Sequence, residues 1–514
     1  MPTTGFVTLA DMTQADDPPQ PAPSTTPPAK TRRVGAWAAA HPWHLALAGV
    51  AACSTLISLL LTSRLGLGWD ESVYISQVAR GVPSTHFSAP RARGVPLLVS
   101  PVAAFTSSPL AIRIYLSVIS GLGLFLAYWI WLRLRPGPGV PLAAAMFAGF
   151  WVSMFYANAA MPNTWVAYCG VAGIGLWCLA ERPAVPLGGA RGSHRERLNL
   201  MGLVAVFAAA SLLRPTDASW LALPLLAYGL LGRRTRATAA VAAGLSIGWA
   251  EWITEAFLTY GGPVARLKAA GTQNMTGLTF SLPDHLRALN GPLLCRFGLN
   301  CGDVPLEHLA WFAALPVLAA LGVWATRRRE FVLALAAGLS LAFSYFFTVG
   351  YAAPRFLLPA YALLALPVAA GLKVLWRGRW RAVRVFTAVG LGCYFALQGA
   401  SLVVYVAHTH ADRIPNARVA TALRALGLRS PCFLYGHHAV QIGYLARCSS
   451  LGVVNHYGGA EVPAALRAAM AAGAWVGVIT TASTLPAPFL TSWTPVSLPV
   501  AAEEKWRVFL PPRP

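Results

Sequence analysis

Long apolar runs alternate with short polar interruptions along this chain, and the runs have the length of membrane crossings rather than of core helices. The first covers residues 43–61. Others follow at 110–132, 140–156, 164–179, 200–213, 219–231, 238–258, 309–326, 331–349, 356–375 and 383–406. A helix needs about 20 residues to cross the hydrocarbon, so the pattern predicts about eleven crossings. The short runs at 200–213 and 219–231 are expected to be tilted or partly enclosed by protein. Dense basic clusters fall in every second interruption: Arg133 and Arg135; Arg182, Arg191, Arg195 and Arg197; Arg233, Arg234 and Arg236; Arg327, Arg328 and Arg329; Arg377, Arg379 and Arg381. Positive residues are retained on the cytoplasmic side. With Lys30, Arg32 and Arg33 ahead of the first run, they put the N-terminus inside and the C-terminal region outside.

Residues 1–34 are Pro- and Thr-rich without apolar periodicity and read as a disordered cytoplasmic tail. No cleavable signal precedes the first run, which is therefore expected to stay as an anchor. Beyond about residue 408 the pattern changes. Segments 432–436, 475–479 and 506–510 read as strands, and 417–426, 440–446 and 462–472 as helices, the alternation of a compact α/β module. The expected fold class is mainly α: a polytopic membrane helical bundle over 35–408, whose first external loop is 63–109, followed by a small extracytoplasmic α/β domain over 409–514.

Composition agrees. The chain is 56% hydrophobic and 11% charged, against about 25% charged in soluble domains. A net charge of +22 raises nucleic acid as a partner. The basic residues, however, sit in short clusters between apolar runs, so membrane lipid is the expected partner and nucleic acid is not. The eight cysteines make no metal pattern. Cys53, Cys169, Cys178 and Cys393 lie in apolar runs and read as small core residues. Cys295 and Cys301 share an outer loop, Cys432 and Cys448 share the C-terminal region, and each pair is a candidate disulfide in an oxidising compartment.

Only 18 Asp and Glu occur among 514 residues, yet Asp70 and Glu71 are adjacent, in the segment Gly68-Trp69-Asp70-Glu71-Ser72-Val73-Tyr74 just past the first crossing. Two readings stand side by side. Asp70 caps a helix beginning at Glu71, or the acids serve as a base or metal ligand at headgroup depth. Arg91 and Arg93 in the same loop, and Arg355 at an outer helix end, run against the positive-inside trend. Their planar guanidinium groups match phosphate oxygens; the alternative is snorkelling to lipid headgroups. Glu251 and Glu255, one helical turn apart, line a polar site or face a wet cavity. Arg214 and Asp217 read as a structural pair.

Trp69-Asp70-Glu71 with Tyr74, and Pro354-Arg355-Phe356-Leu357-Leu358-Pro359-Ala360-Tyr361, resemble segments of the polytopic C-type glycosyltransferases, particularly the protein O-mannosyltransferase and aminoarabinose transferase branch. The plan of about eleven spans and an external C-terminal domain is similar over most of the chain. Two departures stand out. The branch commonly carries Lys-Pro in the loop after the acid pair, where this chain has Pro90-Arg91-Ala92-Arg93-Gly94-Val95-Pro96. Many members also have a second acid in the outer turn before the fourth span, where Asn163 stands here, leaving a divalent metal ion open as a cofactor. The resemblance implies transfer of a sugar, with inversion, from a polyprenyl-phosphate donor to an extracytoplasmic glycan, lipid or protein acceptor at the plasma membrane. Asp70, or Glu71, would be the base, with Tyr74, Arg91, Arg93, Asn163, Glu251 and Arg355 on the substrates. The rival class is a transporter or flippase for a glycolipid or glycan precursor, using the same acids for coupling. Against it, the sequence has no internal repeat and no paired Gly/Pro-broken spans.

Overall fold

The structure is a computed structural model that describes residues 40–182, 190–291, 294–296, 301–453, 457–481, 486–500 and 505–512. The expected tail 1–34 lies outside them. Among the described residues eight helices are long and apolar enough to cross a bilayer: Pro42–Thr62, Pro109–Leu134, Pro162–Ala180, His194–Leu213, Leu306–Thr326, Arg329–Thr348, Pro354–Arg377 and Arg381–Ala425. The other expected crossings depart from that set for physical reasons. The run 140–156 is two helices, Gly139–Ala148 and Trp151–Tyr156. The break falls where Gly149 lets the Phe395 ring come so close that a Cβ would sit 2.6 Å from it. The Trp151 N–H freed there donates to Gln398 Oε1 at 3.2 Å. Pro215–Leu231 has 17 residues and an internal Pro224, and Thr235–Thr259 carries Arg236, Glu251 and Glu255.

The bundle has two distinct ends. Arg135 pairs with Glu330 at 2.5 Å and Arg234 with Glu181, while Arg182 donates to the Leu134 carbonyl at 2.7 Å and Arg329 to that of Glu181 at 3.2 Å. The interruptions expected inside thus meet at one end. The intervening turns gather with the C-terminal domain at the other, where Arg413 donates to Gly66 O at 2.7 Å and Tyr444 to Ser107 O at 3.0 Å. Between the ends, small residues let helix backbones approach closely. A Cβ on Gly322 would sit 1.9 Å from the Pro367 carbonyl oxygen, and one on Gly371 2.3 Å from that of Leu318. Trp131, Trp151 and Trp177 fill the interior, while Leu60, Val317 and Phe386 face outward, as lipid-solvated surface does.

The last crossing does not stop at the membrane. Arg381–Ala425 is one 45-residue helix, about 68 Å long at about 1.5 Å per residue, and the expected domain boundary near 408 falls inside it. Its far end buries Val419, Ala420 and Leu423 against Leu434, Ile442 and Trp506 of the C-terminal module. That module is a five-stranded sheet in the order β2-β1-β3-β5-β4, with β1 Cys432–Gly436, β2 Ser449–Gly452, β3 Trp475–Thr481, β4 Thr494–Leu498 and β5 Trp506–Leu510. β1 runs parallel to β2 and β3, and β5 antiparallel to β3 and β4. The two strands with no sequence signal, β2 and β4, are the polar edges. Cys432 is bonded to Cys448, and Cys295 to Cys301.

Candidate functional site

The helix Trp69–Ser76 begins at an extended Gly68, and Glu71 at its third position reaches back to accept the Gly68 N–H at 2.9 Å. Glu71 therefore does the capping. The cap reading for Asp70 is corrected: Asp70 lies inside the first turn, its side chain still a third exposed at 33%. Glu71 also accepts from Arg113 at 2.9 Å, Arg413 at 3.2 Å and the Ala160 N–H at 3.2 Å. Burial raises its carboxyl, but Arg113 and Arg413 outweigh that and hold it below the usual range. With its oxygens filled, Glu71 joins the first external loop to the span Pro109–Leu134, the turn before Pro162 and the long helix.

Asp70 faces a cavity of about 550 Å³ at the end that carries the C-terminal domain. Arg91 donates to its Oδ1 at 2.5 Å and Arg355 to its Oδ2 at 3.1 Å. Burial would raise the Asp70 carboxyl; Arg91 and then Arg355 overcome this and keep it below the ordinary carboxylate range. Tyr74 lies under Arg91, its ring centroid 5.6 Å from the guanidinium carbon, and burial raises its phenol, so it stays a neutral donor. Among the described residues, Arg214 and Arg296 complete a lining of four arginines against the single carboxylate of Asp70. The Arg214 guanidinium stands over the Tyr345 and Phe356 rings, at 5.6 and 5.2 Å, and pairs with Asp217 at 3.2 Å. From the C-terminal module, Val440, Ser450, Leu451 and Gly452 form one wall. The Trp69 ring lies so close to Gly452 that a Cβ there would be 1.9 Å away. A smaller chamber of about 180 Å³, lined by Glu71, Arg113, Tyr156 and Arg413, shares Asp70 and Arg355 with the larger one.

The cavity brings together Asp70, Tyr74, Arg91 and Arg355; Arg93, Asn163 and Glu251 are not in its lining. Arg93 turns away, donating to Glu255 at 2.7 Å and to Gln77 at 2.9 Å. Glu255 also pairs with the fully buried Arg266 at 2.7 Å, and Arg266 donates to the carbonyls of Ala89 at 3.1 Å and Arg91 at 2.9 Å. That clamp fixes the loop that aims Arg91. Glu251 sits beside this cluster, and Asn163 is fully buried, its amide without a hydrogen-bond partner among the described residues. Arg214, Arg266 and Arg296 were not expected here. Arg214 reads as already satisfied by Asp217, and the other two lie in polar loop and helix stretches without a motif. For a divalent ion the fit is poor. The groups nearest Asp70 are guanidinium cations, and among the described residues no three His, Cys, Asp or Glu side chains assemble as a metal-binding set.

No family model and no curated protein matches the sequence. Solved structures do match in fold. ArnT from Cupriavidus metallidurans, bound to undecaprenyl phosphate, superposes with a TM-score of 0.63 at 12% identity, covering 91% of this chain and 98% of that one. Its apo state gives 0.59 at 12% identity over 92% and 98%. The Archaeoglobus fulgidus oligosaccharyltransferase tethered to an acceptor peptide gives 0.52 at 13% identity, over 85% of this chain and 69% of that one. The fold that the sequence segments resemble, that of the polytopic C-type glycosyltransferases, is the fold observed.

Proposed function

We propose that the chain is a plasma-membrane glycosyltransferase that moves a sugar from a polyprenyl-phosphate donor to an acceptor hydroxyl, at the face carrying the C-terminal domain. One observation carries this reading: among the described residues a lone carboxylate, Asp70, stands in a cavity whose other charged groups are arginines. The acceptor oxygen bonds to the anomeric carbon as the bond from that carbon to the phosphate oxygen breaks. The hydroxyl proton passes to Asp70. The electron pair leaves with the polyprenyl phosphate, whose growing charge Arg355, Arg91, Arg214 and Arg296 stabilise. A single displacement of this kind inverts the centre. The fold shared with a structure holding undecaprenyl phosphate supports the donor class.

The two arginines on Asp70 give the reaction an order. With no donor present they depress the carboxyl and make it a weak base. An arriving phosphate gives Arg91 and Arg355 a second anion to pair with, so Asp70 becomes more basic as the donor seats. The test is transfer in liposomes supplied with a panel of polyprenyl-phosphate sugars. Asp70→Asn preserves shape, so the unfolding temperature should hold while turnover falls by about 10²–10⁴-fold. A folded Asp70→Asn protein with undiminished transfer would remove Asp70 from the mechanism. Sugar crossing the bilayer without a new glycosidic bond would instead favour the transporter.

A further inference from the structure

Another cavity, of about 560 Å³, lies on the seam between the first external loop and the C-terminal module, and shares no lining residue with the Asp70 cavity. Gly81, Val82 and Pro83 form one side; Arg424, Leu428, Arg429 and Arg447 form the other. Its charge is one-sided. Among the described residues no acid lines it, and none of the exposed Arg424, Arg429 and Arg447 is paired with a carboxylate. Arg424 donates to the Leu445 carbonyl at 2.6 Å, which tethers it to the module. Arg447 is held at φ 59°, a left-handed conformation unfavourable for an arginine, immediately before the bonded Cys448. Three like charges gathered at one groove repel one another.

The place of this groove says what would neutralise it. Arg80, next to Gly81, donates its backbone N–H to Ala103 O at 2.9 Å. Tyr444, on the helix that ends at Arg447, donates to Ser107 O at 3.0 Å, two residues before the span Pro109–Leu134. On that same stretch Leu97 and Phe105 are 57% and 75% exposed. Large apolar side chains bared beside a span stand among acyl chains, so the groove opens at the depth of outer-leaflet headgroups.

We propose that the groove binds the phosphodiester headgroup of an anionic lipid. Guanidinium groups from Arg424, Arg429 and Arg447 take the phosphate oxygens, Val82 and Leu428 flank the glycerol, and the acyl chains run down past Leu97 and Phe105. A headgroup held there bridges the loop and the C-terminal module, the same two parts that wall the Asp70 cavity.

Native mass spectrometry of the full chain tests this, with dioleoylphosphatidylglycerol, dioleoylphosphatidylcholine and water-soluble glycerophosphoglycerol as probes. One phosphatidylglycerol should be retained in preference to phosphatidylcholine. Its apparent Kd should rise about tenfold in Arg429→Gln/Arg447→Asn, the order expected for losing charge-assisted contacts. Asparagine tolerates the left-handed backbone. Arg377→Gln/Arg379→Gln, at the opposite end, should retain the lipid as the wild type does. Should the turn at 447 prove sensitive, Arg424→Gln/Arg429→Gln carries the same expectation. Equal retention of the two lipids, or unchanged affinity in both groove variants, overturns the proposal. Equal affinity for glycerophosphoglycerol would assign the groove to a soluble phosphate ester and overturn the lipid assignment.

Discussion

At the scale of the residue, Asp70 and Glu71 differ in how many donors each carboxylate already satisfies. Glu71 is nearly fully buried and accepts from two guanidinium groups and two backbone N–H groups. Glu71→Gln leaves Arg113 buried beside a neutral partner, so it should cost about 3–5 kcal/mol of stability. Thermal unfolding in detergent reads this, with turnover per folded molecule falling far less than in Asp70→Asn. Asp70 has, among the described residues, its two arginines, and they set its pH dependence. Without donor its carboxyl is held below the ordinary range, so the kcat/KM profile, which reports the donor-free enzyme, should hold at and above that range and fail only below it. Arg91→Gln removes one source of that depression, and the acid limb of the rate profile should move to higher pH. An unmoved limb would show that Asp70 does not set it. The sequence made the acid pair and Arg355 visible, because carboxylates are scarce and outer arginines run against the charge trend. It could not say which acid stays available. That depends on Arg113 and Arg413, 42 and 342 positions away from Glu71.

At the scale of the element, the spans were legible because a crossing helix must satisfy its own backbone and bury its face in lipid, which leaves a long apolar run. The break in the run 140–156 was not. Phe150 and Trp151 are as apolar as their neighbours, and the compensation for the lost helical bond comes from Gln398 on another helix. Gln398→Leu keeps the volume but leaves the Trp151 N–H without an acceptor, at a cost of about 1–3 kcal/mol. The unfolding transition checks this, and an unchanged midpoint would mean that the N–H finds another partner. Close helix crossings are equally invisible to hydropathy. Gly322→Val forces a side chain toward the Pro367 carbonyl, and overpacking of that kind typically costs about 1–3 kcal/mol. The edge strands Ser449–Gly452 and Thr494–Leu498 escaped because their residues are short or polar and make no run of alternating apolar positions.

At the scale of the molecule, the two ends of the bundle use arginine differently. At one end the clusters pair with Glu181 and Glu330 and fix the loops; at the other, arginines line cavities. The long helix Arg381–Ala425 ties these levels together. It is seated in the bundle through Gln398, Leu402 and Tyr405 and in the module through Val419, Ala420 and Leu423, without a loop between. Such a helix is a beam clamped at both ends, with Pro415 between the two seats removing one helical hydrogen bond along the way. When a bilayer thickens or thins, spanning helices change tilt, and a tilt of roughly 10° lies within their normal range. Over the outer 16 or so residues, about 24 Å of helix, that swings the far end by about 4 Å. The wall formed by Ser450 and Gly452 would travel with it, toward or away from Asp70. Transfer in liposomes of graded acyl length should therefore pass through an optimum, and two glycines inserted after Thr409 should flatten the curve. Hydrocarbon thickness would then be a physical setting of the gap in which the proposed reaction takes place, read out by a lever rather than by any receptor.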